Sequence, residues 1–329
     1  PRYVPLDDPA TLSIFSSTKE LGIEPELIGC GVGTLGLPEF GTRFVRQMLE
    51  EIRPRSFADL VRVSGFSHGT NVWANNAQDL IRSGRAGLDE AISTRDDIMI
   101  YLLRKGVPAE SAFDIMEKVR KGKGLVESDL KLMRSHGVPE WYLESCRKIT
   151  YLFPKAHAVA YVMMAVRIAY YKVHHPLAFY ASYFSVRAPD LDARLLGTIP
   201  EMRSRISALE SKGSQASQRE RDLVAVLEVA IEAVARGIRF LPIDIQESDA
   251  LRFRILGNAL LPPLVASPGL GEAAARGILE ARRSRPFSSV DDLKKRASLS
   301  TAVIDSLRGC GCLKSLPEHD QMALFAQAG

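Results

Sequence analysis

Between Gly41 and Asp190, apolar residues recur at three- and four-residue spacing, the period of a helix with one buried face. The pattern predicts helices over 42–52, 56–63, 96–103, 109–119, 125–135 and 139–149. The glycine-bearing stretch Ser64-Gly-Phe-Ser-His-Gly-Thr70 reads as a loop, and the first 34 residues as irregular chain. After a polar connection at 212–218, residues 223–235 are amphipathic again. Residues 238–263 hold short apolar runs about Gly257-Asn258, which predicts brief strands around a turn. From Val265 the helical period returns, and no internal repeat is evident. The fold class predicted is mainly α with a small β-containing subdomain.

One helical stretch stands apart. Residues 154–176 contain no Asp or Glu; their polar side chains are lysine, arginine, histidine and tyrosine. His157, Tyr161, Met164, Ile168 and Tyr171 follow helical spacing along one face, while Val159, Val162, Met163, Val166 and Ala169 fall mostly on the other. Pro154 suits the first turn of a helix, where its missing N–H costs nothing, and Pro176 ends it. Such a face offers cations and aromatic rings to an anionic, flat ligand such as a nucleotide or nucleic acid. The same spacing also fits a half-buried core helix.

Composition narrows the class. A chain of 329 residues is long enough for about two domains. A hydrophobic content of 46% and a charged content of 25% are those of a globular protein. A net charge of +4 permits a polyanionic partner without requiring one. Cys30, Cys146, Cys310 and Cys312 fit neither a disulfide framework nor a zinc site, so they read as reduced thiols of a cytoplasmic protein. No apolar run has membrane-spanning length and no signal peptide is visible. A start at Pro1 rather than methionine suggests a piece of a longer protein.

Further motifs point the same way. Ser267-Pro-Gly-Leu-Gly271 leads into a helix rich in alanine, the signature of a helix–hairpin–helix. There Gly269 and Gly271 let backbone N–H groups approach a phosphate, with Arg276, Arg282, Arg283 and Arg285 nearby. An ordinary glycine-capped turn fits the same residues. Lys118, Arg120, Lys121 and Lys123 form a basic turn suited to a phosphate chain or to plain solvation. Ser67, His68 and Thr70 form a polar connection able to touch a nucleotide. Near the C-terminus, Gln321, Met322, Leu324 and Phe325 make a peptide with two apolar anchors, suited to a partner's pocket or to folding back. Catalytic signatures are missing: Asp7-Asp8, Asp96-Asp97 and Asp291-Asp292 are adjacent pairs whose side chains diverge.

Phe153-Pro-Lys-Ala-His-Ala-Val-Ala-Tyr161, continuing through Arg167 to His174-His-Pro-Leu177, resembles the fingers of bacterial replicative DNA polymerase III alpha subunits, most closely the PolC type. Asp7-Asp-Pro9, Gly33-Thr-Leu-Gly36, Pro38-Glu-Phe-Gly41, Ser67-His-Gly69, Arg95-Asp-Asp97 and Arg120-Lys-Gly-Lys-Gly124 extend the resemblance in order, as do the glycine hairpin and the tail. It implies polymerase fingers over 1–185, linker helices and a small α/β segment over 186–262, and a helix–hairpin–helix duplex-binding region over 263–315. Residues 316–329 would be a tail that binds the sliding clamp through Gln321, Met322, Leu324 and Phe325.

By the same resemblance, Lys155, His157, Tyr161 and Arg167 serve the incoming dNTP and nascent base pair. Lys118, Arg120, Lys121, Lys123, Ser67 and His68 serve phosphate or template, and Gly269, Gly271 and Arg276 serve duplex DNA. Mg²⁺ would be bound by palm carboxylates upstream of this segment, beyond which exonuclease and PHP-type domains are expected. Primer-template DNA, dNTP, the sliding clamp and other replisome subunits are the implied partners, with no membrane. The segment alone is expected to be inactive. The alternative is a stand-alone, non-catalytic module for DNA binding and clamp tethering. Two departures stand out: Ser267 replaces the usual aliphatic residue, and the tail has Met322 where Leu is common and runs four residues past Phe325; separately, the Gly- and Arg-bearing loop 83–87 fits no motif.

Overall fold

The structure, a computed structural model, describes residues 3–320. Two compact units are present. The first comprises residues up to Leu21 together with Cys30–Val173, and the second Gly22–Gly29 together with the chain from His174. The break at Val173–His174 precedes the boundary expected at 185. The reason is aromatic packing: Phe184, on helix Pro176–Arg187, lies 5.1 Å from the Phe240 ring and 5.7 Å from Phe253.

The first unit is helical: Arg43–Ile52, Phe57–His68, Arg95–Arg104, Ala109–Arg120, Glu127–Ser135, Glu140–Lys148 and the long helix Lys155–His174. Short helices Pro9–Ser13 and Gln78–Arg82 join them. Phe57–His68 begins with a capping box, in which the Asp59 amide donates to the Ser56 hydroxyl and the Ser56 amide to the Asp59 carboxylate. It then runs through the segment expected to be a loop. Gly65 marks a close contact rather than a break, since a Cβ there would sit 2.6 Å from the Ser93 carbonyl oxygen. Loop 83–87 also finds its account. Gly84 adopts φ +68 just past helix Gln78–Arg82 and donates to the Ile81 carbonyl, closing the helix end.

Lys172, on the long helix, has no solvent exposure. Its ammonium donates to the carbonyl oxygens of Gly33 (2.8 Å) and Leu35 (2.6 Å). The loop between Cys30 and Phe40 is thereby fixed to the helix, and Thr34 tightens it by donating to the Phe40 carbonyl at 2.8 Å.

The second unit holds helices Pro25–Ile28, Pro176–Arg187, Ile199–Glu210 and Gln218–Ala235, then a three-stranded sheet. Strands β1 (Arg239–Phe240), β2 (Arg254–Leu256) and β3 (Ala259–Leu261) lie in the order β1-β3-β2, with β1 parallel and β2 antiparallel to β3. Gly257, at φ +58, makes the predicted hairpin turn. Helices Glu272–Ser284, Val290–Arg296 and Thr301–Gly309 follow. Buried Tyr180 donates to the Glu232 carboxylate at 2.7 Å, and burial, with Glu232 beside it, pushes the phenol well above its ordinary pKa. Among the described residues no helix is long and apolar enough to cross a membrane.

Phe184 is completely buried among Tyr180, Tyr183, Phe240 and Phe253. Phe184→Ala is therefore expected to cost about 3–5 kcal/mol, read as a lower denaturant midpoint for the second unit.

Candidate nucleic-acid interface

Segment Thr150–Lys155, leading into the long helix, is pinned along its length. Thr150 donates to the Thr70 carbonyl (3.2 Å), and the Thr70 amide donates to the Tyr151 carbonyl (3.0 Å). Leu152 donates to the Arg120 carbonyl (3.4 Å), Arg95 to the Phe153 carbonyl (3.2 Å), and the Lys155 amide to the Asp96 carboxylate (2.8 Å). Gly122, at φ +66, brings the basic turn against Thr150; a Cβ there would meet the Thr150 oxygen at 2.6 Å. Three connections far apart in sequence thus meet at one helix start.

The acid-free helix carries the expected stripe. His157 is exposed, and Tyr161, Met164 and Tyr171 are 43%, 42% and 40% exposed, while Val162, Val166 and Ala169 are buried. Phe153 gathers the rings. His68 stacks on it at 4.7 Å, His157 meets it edge-on at 5.8 Å, and Tyr161 lies at 6.5 Å. The sequence reading left Phe153 out of the candidate site, although it opens the motif. Both His68 nitrogens face acceptors, Nδ1 the Ser64 carbonyl at 2.8 Å and Nε2 the Glu39 carboxylate at 2.9 Å. Ser67 points back at the same Ser64 carbonyl, donating at 3.0 Å.

Lys155 and Arg167 do not join this ring cluster. The Lys155 ammonium lies 3.4 Å from Asp97. Burial raises the Asp97 carboxyl, but the Ser93 hydroxyl, Arg62, the Thr94 amide and Lys155 together outweigh it and hold the group below its ordinary pKa. Arg167 is half-buried beside the stripe, its Nε enclosed without a hydrogen-bond partner among the described residues.

The basic turn is partly neutralised from within. Lys118 pairs with Asp129 at 2.8 Å, and Glu117 lies 2.7 Å from Arg120, 2.9 Å from Lys121 and 4.0 Å from Arg95. Hydrogen bonds from Arg120 and Lys121 hold the Glu117 carboxyl at about 2. One carboxylate orders three cations, so the cluster keeps a positive surplus, to which exposed Lys123 adds.

The acid pairs do not fit a Mg²⁺ site. Asp8 caps Thr11 at 2.8 Å, Asp96 and Asp97 are engaged as above, and Asp292, on a helix capped by Ser289, accepts from the Ser288 amide while holding two arginines. Among the described residues no group of three or more His, Cys, Asp or Glu side chains is arranged to hold a metal ion.

In the second unit the glycine hairpin has a twin. Gly269 (φ +75), Leu270 and Gly271 precede helix Glu272–Ser284; Ser298 (φ +51), Leu299 and Ser300 precede helix Thr301–Gly309. The caps agree, with φ −73, ψ 161 at Gly271 and φ −70, ψ 158 at Ser300. From Pro268 to Ile278 and from Ala297 to Leu307, exposed and buried positions alternate identically. Gly-Leu-Gly and Ser-Leu-Ser share only leucine, so the kinship is one of backbone and not a repeat in the sequence. Adding a Cβ at Gly271 meets nothing within 4 Å, which leaves the hairpin face open.

The neighbouring arginines are mostly engaged. Arg276 pairs with Glu272 on the surface at 2.7 Å, Arg283 with Glu280 at 2.5 Å, and Arg285 with Asp292 at 2.8 Å. Arg282 is structural, donating to the Ile245 and Ser248 carbonyls at 2.8 Å each. Ser267, the departure from an aliphatic residue, is buried with its hydroxyl 3.7 Å from the Cys312 sulfur. Ahead of the tail, the Pro317 and Glu318 carbonyls accept from the Val290 and Asp291 amides, at 2.9 and 3.2 Å. Gln321, Met322, Leu324 and Phe325 lie outside the described residues.

Comparison with known proteins defines a class first. Residues 1–136 match the bacterial DNA polymerase III alpha subunit finger domain, and residues 237–323 match a helix-hairpin-helix motif. The chain is 53% identical to DNA polymerase III PolC-type from Caldanaerobacter subterraneus subsp. tengcongensis, over 98% of this chain and 23% of that protein. The PolC-type proteins of Clostridium perfringens and Bacillus subtilis are 51% and 50% identical, over 99% of this chain and 22% and 23% of theirs. The chain belongs to the PolC-type DNA polymerase III family and spans less than a quarter of the length of these relatives.

Asp292 yields a pH prediction. Burial raises its carboxyl, but the Ser288 amide, Arg296 and Arg285 outweigh this and hold it at about 2, against 3.8 unperturbed. A depressed folded-state pKa adds stability above the unfolded value, which is lost as pH falls through the folded one. The melting-temperature gap between wild type and Asp292→Asn should stay constant from neutral pH to about 4 and then narrow towards about 2.

Proposed function

We propose that this chain is the fingers and duplex-binding part of a replicative DNA-directed DNA polymerase of the cytoplasm. The observation that carries this reading is the ring cluster of Phe153, His68, His157 and Tyr161 beside a cation-rich turn at one helix start. Rings of this kind stack on bases without regard to sequence, and surplus cations meet phosphates. His157 and Tyr161 contact the nascent base pair. Arg120, Lys121 and Lys123 neutralise the dNTP triphosphate or the template backbone, assisted by Lys118; Lys155 and Arg167 flank the nucleotide. Ser67 and His68 act by fixing the ring cluster.

The reaction served is attack of a primer 3′-hydroxyl on the α-phosphate of a dNTP. Mg²⁺ ions belong to carboxylates elsewhere in the polymerase. This chain's part is positioning and charge neutralisation. The two hairpins hold duplex DNA through backbone N–H groups, with Arg276 beside the first, a readout indifferent to sequence. The tail from Gln321 to Phe325 engages the sliding clamp and so tethers the replisome.

Two measurements test this. The chain alone should bind primer-template with an affinity that falls steeply with salt, and should extend no primer. Extension by the chain alone would overturn the assignment of roles. In the complete polymerase, the double variant His157→Ala, Tyr161→Ala should raise the KM for dNTP about tenfold or more with duplex affinity little changed. An unaltered KM would refute the base-pair face.

A further inference from the structure

Glu39 has a left-handed backbone, φ +67, without being glycine. Such strain persists only where the surroundings impose it, and it concentrates at working sites. Here it sets a mostly buried carboxylate 2.9 Å from His68 Nε2. The other ring nitrogen is held by the Ser64 carbonyl at 2.8 Å, so one hydrogen bond and one close charge contact face the ring from opposite sides. That plane stacks on Phe153 with an interplanar angle of 24°.

We propose that Glu39 and His68 are positioning residues, which hold Phe153 at the height that sets His157 and Tyr161 against a nascent base pair. The inference rests on the base-pair-face reading above and deepens it. Neither residue touches substrate; they act through Phe153. The strain at Glu39 is retained because a carboxylate is needed at that point, where glycine would satisfy the backbone better.

The test uses the complete polymerase carrying Glu39→Gly, Glu39→Gln and His68→Phe. KM and kcat for dNTP, primer-template affinity and melting temperature are read for each. Glu39→Gly relieves the backbone while removing the carboxylate. It should raise KM for dNTP about tenfold or more, as expected for a small misplacement of a site, with kcat and duplex affinity nearly unchanged and no loss of melting temperature. Glu39→Gln, which keeps a side-chain oxygen facing the ring, should restore most of the KM. His68→Phe, which keeps a ring but loses the Ser64 hydrogen bond and the contact with Glu39, should behave like Glu39→Gly.

A Glu39→Gly enzyme with wild-type KM would overturn the proposal. So would a KM rise accompanied by an equal fall in melting temperature that Glu39→Gln does not correct, since that is a structural role. The His157→Ala, Tyr161→Ala enzyme separates the two readings. If its KM rises while that of Glu39→Gly does not, only the positioning inference fails; if neither rises, the base-pair face fails with it.

Discussion

A lysine ammonium withdrawn completely from water must be met by oxygen atoms, and much of the first unit is arranged around that demand. Lys172 meets it with the carbonyls of Gly33 and Leu35, which locks the loop from Cys30 to Phe40 against the long helix. Glu39 emerges from the same loop, and through His68 and Phe153 it reaches the opposite end of the helix. Losing one such carbonyl contact would free the loop, because buried charge tolerates little geometric slack. The exposed stripe from His157 to Tyr171 is thus supported at both ends by groups that do not belong to it.

Carboxylates in this chain are largely used locally. The carboxylates of Asp8, Asp59, Asp97, Asp129 and Asp292 accept from backbone amides at helix starts, and several also hold a cation. Glu117 shows the consequence for function. By gathering Arg95, Arg120 and Lys121 around one charge it orders them without cancelling them, which suits a surface that must hold a polyanion. A fully balanced turn would be more solvated and less selective.

In the second unit the same backbone device is built twice from different residues. Gly269 takes its left-handed conformation freely, whereas Ser298 does so at a cost, and Leu270 and Leu299 plug equivalent positions. Arg296 braces the intervening turn by donating to the carbonyls of Ala281, Arg285 and Pro286 and to Asp292. The arginines expected to await phosphates divide accordingly: Arg282 belongs to the scaffold, and Arg276 stays at the surface.

Helical period, proline and glycine punctuation and the acid-free stripe were legible in the sequence, because spacing along one helix depends only on local geometry. The small sheet and its Gly257-Asn258 turn were legible for the same reason. Glycine misled at Gly65, where the determining contact is with Ser93, distant in sequence. The second hairpin stayed hidden since φ and burial, not residue identity, carry its likeness to the first. The pairing of Lys118 with Asp129 and of His68 with Glu39, the gathering of rings on Phe153 and the burial of Lys172 were decided by tertiary structure alone. Each depends on distances between segments that local spacing does not encode. The sequence by itself determined which surfaces carry cations and rings; only the fold decided which of those groups remain available and which are spent holding the others in place.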